Sequence, residues 1–261
     1  NCMYHNTTGA NQTAIGRSAL QTNTTGTDNT AVGYYELLSN TTGNYNTASG
    51  VYALYMNTTG SNTAIGSYAL YANTTGTSNV AVGHWDGSNV AALRHNTIGS
   101  NNSAVGVGSL GTNTTGSRST ALGFNALYAN TTGEENVAVG AYCLDSNTTA
   151  YYNTVVGYAA MEDNTTGNYN TVMGHRAGGD ITTGTHNVAI GRDALRVATT
   201  SYGQTAIGYS ALNAASSTSI FCTAVGQSCL PANTSAQYNT AMGYLAGQAT
   251  TSGGNNVFMG Y

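Results

Sequence analysis

Asparagine with serine or threonine two residues on is the acceptor pattern for N-linked sugar. The turn Asn-Thr-Thr supplies it at Asn6, Asn23, Asn40, Asn57, Asn73, Asn113, Asn130, Asn147 and Asn164, mostly as NTTG, and Asn-Thr-Ser supplies it at Asn233. The adjacent hydroxyls of Thr114, Thr131, Thr148 and Thr165 are equally suited to sugar linked through oxygen. Tyr55, Tyr71 and Tyr128 stand two residues before their sequons, where a ring can stack on a sugar face. NTTG is also a sound turn without sugar, because Gly accepts positive φ and Asn bonds its own backbone. So many copies in register nonetheless favour attached glycan at this corner.

Other chemistry finds little support. The carboxylates Asp28, Glu36, Asp86, Glu134, Glu135, Asp145, Glu162, Asp163, Asp180 and Asp193 fall at variable places, and no facing pair can be placed for acid–base work. His5, His84, His95, His175 and His186 lack metal-ligand spacing with Cys or acids. Phosphate-cradling glycine loops are missing, so no catalytic residue, metal or cofactor is expected. Cys143 and Cys229 occupy a column that is otherwise mostly alanine, which suits a small buried side chain. Cys222 replaces an Asn, and its pairing with Cys229 stays open.

Charged residues make up 6% of the chain and the net charge is −4, against about 25% charged residues in ordinary soluble domains. Lysine is absent and Arg17, Arg94, Arg118, Arg176, Arg192 and Arg196 are scattered, so nucleic acid has no basic stripe to meet. No apolar run approaches the ~20 residues that span a membrane.

What must position the turns is a repeat. A glycine closes each A-[VILM]-G step, as at Gly16, Gly33, Gly123, Gly140 and Gly157, and eleven of the fourteen intervals between such glycines are seventeen residues. A short period held this long means a solenoid. Four residues before the anchor is a second Asn column, Asn29, Asn46, Asn62, Asn79, Asn136, Asn153, Asn170, Asn187, Asn239 and Asn256, able to hydrogen-bond coil to coil as a ladder. The following Thr-Ala-Val or Thr-Ala-Ile reads as a short strand. Ala-Leu three and four residues after the anchor, as in Ala53-Leu54, reads as a second segment covering it.

The chain is therefore predicted to be all-β: a β-solenoid, a narrow parallel β-roll of about fifteen 17-residue coils. Residues 1–261 form one continuous array with a six-residue insertion near 84–89. At about 4.8 Å per coil it would be a rod of roughly 70 Å. Its start at Asn1 and stop at Tyr261 read as a piece of a longer array, whose open strand edges invite head-to-tail growth. The insertion carries the sole tryptophan, Trp85, a candidate for binding.

The core N-[TS]-A-[VI]-G, as in Asn62-Thr63-Ala64-Ile65-Gly66 and Asn102-Ser103-Ala104-Val105-Gly106, is similar to the head repeat of YadA-type trimeric autotransporter adhesins. It also resembles repeats of phage tail fibres and of glycan-coated extracellular fibrils. The adhesin resemblance implies a left-handed parallel β-roll in a trimer; the coil here is longer by an NTTG corner. The expected function is a structural extracellular or cell-surface fibre, self-associating head-to-tail or laterally and coated with covalent glycan, with no nucleic-acid partner and no membrane insertion. The alternatives are an adhesin or tail-fibre shaft that binds a host receptor, and an ice-binding solenoid using the Thr24, Thr41 and Thr114 column.

Overall fold

The computed structural model describes residues 2–215, 219–235 and 237–260. The chain divides into two compact units, Asn1–Thr132 and Gly133–Tyr261. All regular structure among the described residues is strand, in three-residue pieces one coil apart, and no helix is present. This is the β-solenoid that the seventeen-residue spacing predicts.

In the first unit, strands β1 (Thr13–Ile15), β2 (Thr30–Val32), β3 (Thr47–Ser49), β4 (Thr63–Ile65), β5 (Val80–Val82), β6 (Ser103–Val105) and β7 (Thr120–Leu122) follow one another in a parallel sheet. Like residues pair with like: Thr13 with Thr30, Ala14 with Ala31 and Ile15 with Val32. The sixteen-residue step to β4 and the insertion before β6 leave that register intact, Ala48 pairing with Ala64 and Ala81 with Ala104.

A three-residue strand is short because its neighbours turn. Past Gly33, Tyr35 and Leu37 hold φ of 58° and 47°, and before β3 Tyr45 holds 57°. Such left-handed positions cost L-residues about 1–2 kcal/mol each, so something must over-determine them. Hydrogen bonds along the stack do: Leu20 N donates to the Glu36 carbonyl, Tyr35 N to Arg17 O and Tyr45 N to Thr27 O, at 3.0–3.1 Å. The Ala-Leu segment is therefore a turn bonded to its copies above and below; the left-handed leucine excludes the second strand that the sequence suggested. At the anchor, Gly16 has φ +116° and any Cβ there would collide with the Gly33 carbonyl, so only glycine lets the coils close up.

The interior is a thin apolar column. Strand-centre alanines Ala31, Ala48, Ala64, Ala81 and Ala104 are fully buried with Leu37, Leu54, Leu70, Leu93 and Leu110, while first and third strand residues look outward. Burying one Leu contributes roughly 2 kcal/mol, and seventeen residues enclose little more apolar bulk than that per coil.

The second unit repeats the scheme in β8 (Val137–Val139), β9 (Thr154–Val156), β10 (Thr171–Met173), β11 (Val188–Ile190), β12 (Thr205–Ile207), β13 (Thr223–Val225), β14 (Thr240–Met242) and β15 (Val257–Met259). Two coils there exchange volume. Gly178 stands where the leucine column passes, and Ile181 replaces the corner Asn; a Cβ on Gly178 would lie 3.0 Å from the Ile181 Cδ1. Gly247 likewise replaces leucine, and Phe258 replaces the strand alanine, 3.0 Å from where a Gly247 Cβ would be. In both coils a missing side chain is filled by an enlarged neighbour.

Candidate functional site

The repeated corner is where the sequence concentrated its chemistry, and the fold turns its asparagines inward. Asn23, Asn40, Asn57, Asn73, Asn113, Asn130, Asn147, Asn164 and Asn233 are wholly buried, and Asn6 is half-buried. Asn40 Nδ2 donates to Asn23 Oδ1 at 2.9 Å and to Gly43 O at 3.0 Å. The chain of amides continues through Asn57, Asn73, Asn96, Asn113 and Asn130 at 2.7–3.2 Å. In the second unit Asn164 donates to Asn147 at 2.9 Å. Asn233 Nδ2 reaches the Cys222 Sγ at 3.3 Å, and no disulfide joins Cys222 to Cys229. N-linked sugar needs that same Nδ2 free and facing solvent. Asn-linked glycan at the buried acceptors would have to displace these bonds, because in the folded chain each of those side chains lies inside the coil. Asn6, with Nδ2 on Gly9 O at 2.9 Å, is the least enclosed of the set.

The second column is the other wall of the same polar seam. Asn46 takes both its backbone N and its Nδ2 to Asn29 Oδ1, at 2.9 and 3.0 Å, and Asn29 Nδ2 donates onward to Gly43 O at 2.8 Å. Asn62 and Asn79 continue it. In the second unit the ladder runs Asn136, Asn153, Asn170 and Asn187 at 3.0–3.2 Å, and Asn256 bonds Asn239 at 3.2 Å. Gln204 carries the line where Asn is missing, accepting from Cys222 N at 3.0 Å. Asparagine suits this role because it both donates and accepts from one short side chain.

The first threonine of most turns is also engaged. Thr24, Thr114, Thr148 and Thr165 donate their Oγ1 hydrogens to the next coil's threonine carbonyl at 3.0–3.1 Å, and Thr131 is half-buried in the same column. The Thr24 and Thr114 hydroxyls of the column considered for ice binding are thus turned along the stack. The exposed hydroxyls belong to the second threonine, at Thr25, Thr42, Thr115, Thr149 and Thr166. Nothing in NTTG distinguishes its two threonines; the outward one follows from the way the corner is hydrogen-bonded.

Trp85 packs rather than projects. It is 41% exposed, its ring meets Tyr68 edge-on at 5.3 Å, and the Arg94 guanidinium lies 5.7 Å from its centre. Trp85 N bonds Ser67 O in the preceding coil, while Val90 O serves Gly108 N in the following one. The insertion is spliced between those two contacts, and Asp86 folds it by accepting from Ser88 N and Asn89 N. These bonds hold the Asp86 carboxyl down at about 2.

Two acids whose environment the sequence reading missed are withdrawn from solvent, Glu36 wholly and Asp145 in part. Glu36 stands in the column of Ala19 and Ala53 and is fully enclosed; its Oε1 accepts from Gly50 N and its Oε2 has no partner. Burial lifts this carboxyl to about 7. Asp145 is raised to about 6, first by burial and then by the charge of Glu162, one coil on. The spacing of seventeen could have found both. Burial likewise pushes the Cys143 thiol up to about 12. Among the described residues no three His, Cys, Asp or Glu side chains gather as a metal site.

A shallow depression of about 270 Å³, lined by Thr42, Asn44, Tyr45, Gly60, Ser61 and Thr77, marks the sixteen-residue coil. The larger surface is the outward face of the strands. Ile15, Val32, Ile65, Val105 and Leu122 form an exposed apolar line in the first unit, beside Thr13, Thr30, Thr47, Thr63 and Thr120, and no outward residue of β1–β7 is charged. Met173 and Met242, each 51% exposed, lie on the corresponding face of the second unit. The sequence matches no protein-family model and no curated protein.

Proposed function

We propose that this chain is a structural subunit of an extracellular or cell-surface fibre, built to associate with copies of itself. The observation that carries the reading is the strand face: an aliphatic line repeated through most coils, interrupted by Ser49 in β3, exposed or half-exposed and free of charge. Exposed apolar stretches of this regularity mark association surfaces, and a uniform face offers its best complement in another copy of the same repeat. The likeness of the N-[TS]-A-[VI]-G core to surface-fibre repeats supports the location. Scaffold, matrix or attachment is the role such a fibre serves.

Sugar, on this reading, is carried by oxygen at Thr25, Thr42, Thr115, Thr149 and Thr166, whose exposed column lies on the NTT corner. Such a coat supplies the hydration that a nearly uncharged surface lacks. Mapping of native material should place hexose-sized additions on these second threonines and leave Asn40 and Asn113 bare; sugar on the buried asparagines would overturn this assignment. The fibre reading itself is tested by setting charge into the strand face. Ile65→Asp together with Leu122→Asp, both outward positions, should leave the fold intact and abolish the association seen by light scattering in the unmodified chain. Equal association of both chains would remove the strand face from the account.

A further inference from the structure

In several consecutive coils the turns beside the strands carry aromatic residues one coil apart, and the fold stacks them. In the first unit Tyr35, Tyr52, Tyr68 and Trp85 follow one another at centroid distances of 5.7, 5.1 and 5.3 Å, with Tyr35 and Tyr52 only 4° from parallel. Tyr55 and Tyr71 form a second pair beside them at 5.2 Å and 5°. Guanidinium groups close the stack at both ends, Arg17 over Tyr35 and Arg94 over Tyr68 at 5.8 and 4.9 Å. In the second unit Tyr152, Tyr169, His186 and Tyr202 run as a ladder at 5.2, 4.9 and 5.2 Å. Tyr152, Tyr169 and Tyr202 are 42–46% exposed, so their ring edges meet solvent.

We propose that these ladders are sites of oxidative tyrosine coupling, and that the pairs Tyr55–Tyr71, Tyr35–Tyr52 and Tyr152–Tyr169 form dityrosine links that fasten one coil to the next. The geometry favours it in two ways. Coil spacing of about 4.8 Å holds two phenols side by side on a fixed backbone, so the ring carbons ortho to the hydroxyls meet by rotation about the side-chain torsions alone. A phenoxyl formed on Tyr35, Tyr52, Tyr55, Tyr71, Tyr152 or Tyr169 also has a phenol of the adjacent coil beside it, rather than a residue on another molecule.

The step balances with a peroxide as the oxidant. Each of two phenols gives up one electron and one proton, and one hydrogen peroxide takes both pairs to become two waters. The two radicals join through a carbon–carbon bond between ortho positions, and the displaced ring protons move to the oxygens to restore both phenols. The linked protein is lighter by two hydrogens per bond. This chemistry does not depend on the fibre reading, because each link lies within one chain.

The test treats the full chain, dilute enough to be monomeric, with a haem peroxidase and limiting hydrogen peroxide, followed by digestion and mass spectrometry. The expected result is dityrosine fluorescence in a chain that still runs as a monomer in denaturing gels, with peptides joined through Tyr55–Tyr71 and Tyr152–Tyr169. Tyr169→Phe keeps a stacking ring but cannot form a phenoxyl; it should lose the Tyr152–Tyr169 link and retain Tyr55–Tyr71. Tyr45, 66% exposed and outside both ladders, should stay uncoupled. No dityrosine, coupling confined to covalent multimers, or links at Tyr45 in yield equal to the ladder pairs would each overturn the proposal. A chain that fails to assemble but still forms these links would count against the fibre alone.

Discussion

Replacing Asn113 by aspartate would leave its shape almost unchanged and remove its hydrogen-bond donor. Its Nδ2 donates to Asn96 Oδ1 at 2.7 Å and Gly116 O at 2.9 Å, while its Oδ1 accepts from Asn130. An aspartate there would face two acceptors in a buried site, so Asn113→Asp should cost about 3 kcal/mol or more in a denaturant titration. A loss under ~0.5 kcal/mol would mean that the amide column is dispensable. Glu36 makes the opposite case, a titratable group in a place that other coils give to alanine. Its carboxyl is lifted from 4.5 to about 7 in the fold, so the folded chain prefers the neutral acid. That preference is fully present below pH 4.5 and is lost as pH rises through 7. The unmodified chain should therefore be more stable at pH 5 than at pH 8 by on the order of 2 kcal/mol. Glu36→Gln should flatten that difference, measured as the shift of the urea midpoint between the two pH values.

At the scale of the coil, identity matters less than the sum of volumes and the parity of hydrogen bonds. Gly178 and Ile181 exchange size within one turn, which predicts a coupled pair. Gly178→Leu alone overfills the site that Ile181 occupies, and Ile181→Asn alone opens a cavity beside a glycine; each should destabilise by about 1–3 kcal/mol. Made together they restore the composition of the neighbouring coils, and the double variant should recover most of the loss in a double-mutant cycle. Simple addition of the two losses would show that the sites do not share a space. The coil was largely legible from spacing. Seventeen residues, a strand tripeptide and an anchor glycine dictate a stack of like on like, and register keeps Asn29 above Asn46. The inside and outside of the NTTG corner were not legible. Asn, Thr and Gly are turn residues wherever they point, and burial of the first Asn depends on carbonyl groups such as Gly43 O that no pattern reveals. Left-handed leucines at Leu20, Leu37 and Leu54 were equally hidden, because leucine is an uncommon choice for that conformation and is held there by its copies in adjacent coils. Glu36 could have been found, had its column been read for size as well as for charge.

Across each unit, the features converge on repetition used as a material. Amide seams inside, small apolar residues beside them and a neutral strand face outside recur from coil to coil, with local exchanges such as that between Gly178 and Ile181. A regular surface that faces only water is unusual for a chain with 6% charged residues, and the proposed association between copies would relieve it. The most direct measurement is sedimentation velocity of the unmodified chain over a wide concentration series. The account predicts a weight-average sedimentation coefficient that climbs steadily with concentration, towards extended multimers, and that falls back to the single-chain value when Ile65→Asp and Leu122→Asp are introduced. A single species at the mass of one chain, 26.6 kDa, unchanged up to the highest concentration reached, would contradict it.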